Sequence, residues 1–121
     1  MRHTALLAVS LALSLFAGEA AARAYDAKAL ARYDTSYQKC ESRFAEMRGH
    51  RDEAYLSLWR IKLVPKTQAE LTKLRASPTY GAEQKRLAMT PPSAPASAAA
   101  PLERECQGLW GEFQRTRKPA R

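Results

Sequence analysis

The sequence predicts an all-α fold, an elongated helical hairpin of a long first helix on a kinked second one, with a short third helix tied back by a disulfide. Three observations lead there. Apolar and aromatic residues recur at alternating spacings of three and four from Leu30 to Ile61, the signature of one helical face. Proline is absent from Ala27 to Val64 and then punctuates the chain. The two cysteines, Cys40 and Cys106, both fall on predicted apolar faces. At 121 residues there is room for one small domain.

Residues 1–24 read as a secretory signal peptide. Arg2 and His3 precede an apolar run from Ala5 to Ala17, and Ala22-Arg23-Ala24 offers a small-x-small site, which places the cut before Tyr25. As a helix that run rises only about 20 Å, against a hydrocarbon core of roughly 30 Å. The expectation is an exported protein, periplasmic or secreted, and not transmembrane once cleaved.

Residues 25–89 form the expected hairpin. Leu30, Tyr33, Tyr37, Cys40, Phe44, Met47, Ala54, Leu58 and Ile61 occupy heptad a and d positions, so a single coiled-coil-like helix is expected over 28–63, about 54 Å long. Arg51 interrupts this seam, and its long stem is expected to lie along it and reach solvent or an internal Glu. Val64-Pro65 ends the helix. Thr67 and Glu70 read as a capping box opening helix two, with Leu71 and Leu74 inward. Ser77-Pro78 then kinks it, and Tyr80, Gln84 and Leu87 are expected to face in. Residues 90–101, rich in Pro, Ala and Ser, read as a linker. The third helix covers 102–115 with Leu102, Cys106, Leu109 and Phe113 on one face beside Trp110, and 116–121 is a basic tail.

Cys40 and Cys106 are expected to pair. Export, an even count and apolar placement favour a structural disulfide, and a Cys-x-x-Cys redox spacing is absent. Closing a 66-residue separation is worth about 4 kcal/mol in the chain-entropy model.

Residues suited to catalysis are few. His50 is the one histidine beyond residue 24, flanked by Glu46 and Glu53 at i−4 and i+3. Three such ligands fall short of a closed four-ligand zinc site, so no metal is assigned. No Gly-rich phosphate loop, dinucleotide fingerprint or haem-attachment motif occurs, and no triad can be assembled. The expectation is a non-enzyme without cofactor.

The whole chain carries a net charge of +8, concentrated in helix two and the tail. Lys66, Lys73, Arg75, Lys85, Arg86, Arg115, Arg117, Lys118 and Arg121 are the candidate anion-binding residues. Outside the cytoplasm they would meet lipid headgroups or acidic polymers rather than nucleic acid. The leading expectation is a non-catalytic interaction protein of the cell envelope, an adaptor, chaperone or complex subunit. Its partner-binding residues are Tyr55, Trp59, Arg60 and Trp110, since Trp, Tyr and Arg are enriched in interface hot spots.

Overall fold

A computed structural model describes residues 22–89 and 99–117. Within them the chain forms helices α1 (Ala27–Arg43), α2 (Arg51–Ser57), α3 (Pro65–Arg75), α4 (Pro78–Met89) and α5 (Ala99–Arg117), with a 3₁₀ turn at Ala45–Met47. The all-helical class is as predicted. The single helix over 28–63 is not: α1 stops after 17 residues, about 26 Å, and the chain folds back to make the separate, shorter α2.

The interruption is held by tertiary bonds. Phe44 leaves the helix with φ −123° and ψ 105°. The Tyr37 hydroxyl donates to the Met47 carbonyl at 2.6 Å, and Arg48 Nε donates to the Glu41 carbonyl at 2.9 Å. Gly49 takes φ 83°, a left-handed conformation that glycine adopts without a Cβ clash. After the reversal Met47 and Ala54 still face inward, which is why the three-and-four spacing survives a chain that is no longer one helix. Arg51 meets Glu41, with Nε 2.7 Å from Oε1, the internal partner its place on the seam allowed.

Helix α1 is the spine, in contact with every other helix above. Asp26 caps it, its carboxylate accepting from the Lys28 N–H at 2.9 Å, as an N-cap Asp does. One core cluster gathers Leu30 and Ala31 of α1, Tyr55 and Leu56 of α2, Leu71 of α3 and Tyr80 of α4. A second gathers Tyr37, Cys40, Met47, Ala54, Cys106 and Phe113. Tyr33 joins the two, its ring 5.8 Å from that of Tyr37 and 5.1 Å from that of Tyr55.

Helix two of the sequence reading is α3 and α4, broken where Ser77-Pro78 predicts; Ser77 Oγ accepts from the Tyr80 N–H at 3.3 Å. Two details differ. Helix α3 starts at Pro65, so Thr67 is its third residue and not its cap. Proline suits the first turn because that position needs no N–H. In α4 Gln84 is exposed and Glu83 turns inward, because Arg32 of α1 and Arg86 both hydrogen-bond its carboxylate. Those two guanidinium bonds hold Glu83 down to a pKa of about 2.

One buried cluster around Arg75 and Asp34 ties four helices together. Arg75, at the end of α3, donates from Nε to Asp34 Oδ2 at 2.8 Å and from Nη2 to Asp34 Oδ1 at 3.0 Å. Its Nη2 also reaches Asp52 Oδ1 of α2 at 2.5 Å. The Tyr80 hydroxyl of α4 donates to Asp34 Oδ2 at 2.5 Å, and Gln68 Nε2 to Asp52 Oδ2 at 2.6 Å. Asp34 is 1% exposed. Burial opposes ionisation of Asp52, but the hydrogen bonds from Arg75 and Gln68 outweigh it and hold the carboxyl below its ordinary range.

Cys40 and Cys106 form the expected disulfide, with Cα atoms 5.5 Å apart. It seats α5 on α1, where Trp110 and Phe113 pack at 5.5 Å and His50 lies 5.7 Å from Trp110. Helix α5 extends beyond the predicted 102–115 at both ends. Pro101 falls in its first turn, where proline is tolerated, so residues 99–101 join the helix and the rest of the predicted linker lies outside the described residues.

Removing this covalent tie gives a direct measure of its weight. Cys106→Ser should lower unfolding free energy by about 4 kcal/mol, read by chemical denaturation. The parent should take up no thiol reagent until it is reduced. A loss under about 1 kcal/mol would show that packing alone holds α5.

Candidate functional site

The described residues expose four large apolar side chains, and three of them sit in one turn: Leu58 (43%), Leu63 (41%) and Val64 (43%). Two local devices build it. Helix α2 ends in a Schellman arrangement, with the Ile61 N–H donating to the Leu56 carbonyl and the Arg60 N–H to the Ser57 carbonyl, both at 3.1 Å. This puts Arg60 at φ 56°, in the position usually taken by glycine. Pro65 then forces Val64 into an extended conformation, and Thr67 fastens the stretch from below. Its hydroxyl accepts from the Val64 N–H at 2.9 Å and donates to the Lys62 carbonyl at 2.7 Å. Leu58 was expected on the buried seam. It is exposed because α2 has already ended, and Tyr55 and Leu56 enter the core in its place.

Beside this turn runs a groove of about 890 Å³ between residues 57–64 and the C-terminal part of α5, lined by Arg60, Ile61, Lys62, Leu63, Phe113 and Arg117 among others. Arg60, Lys62 and Lys66 are exposed and form no ion pair with any described residue. Across the groove Arg117 lies 5.1 Å over the Phe113 ring, and Arg115 pairs with Glu112.

The sequence-derived residues divide accordingly. Tyr55 is buried, its hydroxyl donating to the Ala24 carbonyl at 2.5 Å, so it is a core residue and not a surface contact. Burial pushes its hydroxyl up to about 12. Trp59 packs against the first cluster and Trp110 against the second, each half-buried. Arg60 alone of the four partner residues is exposed. Of the anion-binding set, Arg75 is committed to Asp34 and Asp52 and Arg86 to Glu83. Lys66, Lys73 and Lys85 are exposed, and Lys118 and Arg121 lie outside the described residues. The three hypothetical metal ligands do not share a helical face: Glu46 sits in the 3₁₀ turn and His50 caps α2, with His50 Nδ1 3.7 Å from Glu53. Among the described residues no three His, Cys, Asp or Glu side chains are grouped to hold a metal ion, and no helix is long and apolar enough to cross a membrane.

Sequence reasoning gave Leu63 and Val64 no role beyond the end of the first helix. The available signal was their place between Lys62 and Lys66 just before a proline. No known protein family, curated protein or solved structure matches the chain.

A left-handed arginine carries a backbone cost that glycine would relieve. Arg60→Gly should therefore raise unfolding free energy by about 1 kcal/mol, measured by denaturant titration. A loss of stability would mean that the Arg60 side chain serves the fold.

Proposed function

We propose that this chain is a small exported, non-catalytic helical interaction protein of the cell envelope, an adaptor, chaperone or complex subunit, whose contact surface is the turn after α2 together with the end of α5. The observation that carries this reading is that Leu63 and Val64, both exposed, line one edge of a groove with Arg60 and Lys62, cations that form no ion pair with any described residue. An apolar cluster rimmed by charge is the usual mark of a contact surface. Export is supported by the signal-like residues 1–24 and by a disulfide, a bond that persists in oxidising compartments. A non-catalytic role is supported by the setting of His50, whose ring packs against Trp110 and Phe113 and whose Nδ1 lies 3.7 Å from Glu53, a packing and ion-pair setting.

A photo-reactive residue placed at Leu63, and another at the exposed Lys85 of α4, tests the surface in cells of the protein's own source. Illumination should give a covalent adduct from position 63 and not from position 85. Equal yields, or none, would remove the turn as the contact surface.

A further inference from the structure

We propose that the turn from Leu58 to Lys66 docks on an anionic phospholipid surface, with Leu58, Leu63 and Val64 entering the interface and Arg60, Lys62 and Lys66 meeting lipid phosphates. The proposal rests on the interaction reading above and names the occupant of its surface.

Charge complementarity is the first argument. No acidic residue occurs from Ala54 through Ala69, while Arg60, Lys62 and Lys66 all do. The far wall of the groove adds Arg117 and the Arg115–Glu112 pair, and Glu53 also lines it, so the excess of cations lies on the turn itself. Cations of this kind are drawn to anionic leaflets and weaken steeply with salt.

The interleaving is the second. Cores of protein interfaces are depleted in charge, and lysine is disfavoured there. Here cations alternate with the apolar side chains, and two of the three are lysines. A long stem that lies on apolar surface while its head seeks phosphate suits a lipid boundary.

The third argument concerns the backbone. Non-helical backbone that approaches hydrocarbon gives up solvating water, so each internal hydrogen bond lowers the cost. The Ile61 N–H is taken by Leu56, the Val64 N–H by Thr67, and the Lys62 carbonyl by the Thr67 hydroxyl. Pro65 has no N–H to satisfy. Arg60 in turn keeps a charged side chain where the backbone favours glycine, and strained positions gather at functional sites.

The test is co-sedimentation with phosphatidylcholine vesicles, with and without phosphatidylglycerol. Protein is purified from its own envelope so that parent and variants share one N-terminus. The parent should sediment with the phosphatidylglycerol vesicles at low salt and be released at high salt. Lys62→Ala and Arg60→Gly should each weaken partition about fivefold, the second without loss of fold. Leu63→Glu with Val64→Glu should weaken it about tenfold or more. The proposal is overturned if the parent stays in the supernatant, if plain phosphatidylcholine serves as well, or if the variants partition like the parent. A protein adduct at position 63 with no vesicle binding would overturn the lipid occupant and leave the interaction reading standing. No adduct of any kind would remove both.

Discussion

The structure turns on the Asp34 carboxylate, buried on the spine helix and answered by a guanidinium from another helix. Moving a carboxylate out of water costs several kcal/mol even after relaxation, and a fold that buries one must supply the compensating charge and hydrogen bonds from elsewhere. Arg75 supplies the charge and Tyr80 a further bond. Both reach Asp34 because α3 ends and α4 begins at Ser77-Pro78, so the kink brings the last residue of one helix and the first turn of the next to one carboxylate. Arg75 also extends to Asp52, which fastens α2. The lysines and arginines of a basic chain are thus not equivalent: this one is structural, while those of the turn after α2 are left to solvent.

The second half of the molecule is held differently. Around Cys40 the buried groups are aromatic or sulfur-bearing apart from Ala54, and α5 is fixed covalently. Gly108 and Gly111 in that helix have open space where a Cβ would stand, and each costs about 1 kcal/mol of helix stability. The disulfide and the burial of Phe113 offset this. Tyr33 links the two halves through its neighbours Tyr37 and Tyr55.

What the sequence made legible was whatever local chemistry decides. The cysteine pairing, the break at Ser77-Pro78 and the inward placement of Leu71 and Phe113 needed only spacing, turn propensity and compartment. The end of α1 was not legible, because no proline or glycine occurs from Phe44 to Arg48; bonds from Tyr37 and Glu41 hold that turn, and Gly49 was its one local sign. Asp34 lies on the same helical row as Leu30 and Tyr37, so its burial could be suspected. Its partner, 41 residues away, could not. At the candidate site, Arg60 was named from composition but the exposed Leu63 and Val64 were missed. Their display depends on a helix end at Ser57 that the continuous heptad pattern concealed.

The central claim is that the Asp34–Arg75 pair couples the helices, and a double-mutant cycle tests it most directly. Arg75→Met leaves a buried carboxylate without its guanidinium and should cost about 3–5 kcal/mol. Asp34→Asn should cost about 1–3 kcal/mol. The double variant should cost less than the two together by about 2 kcal/mol, the coupling expected of residues in direct contact. Additive losses, or an Arg75→Met cost below about 1 kcal/mol, would contradict the account, since an interaction that holds four helices cannot be removed at so small a cost.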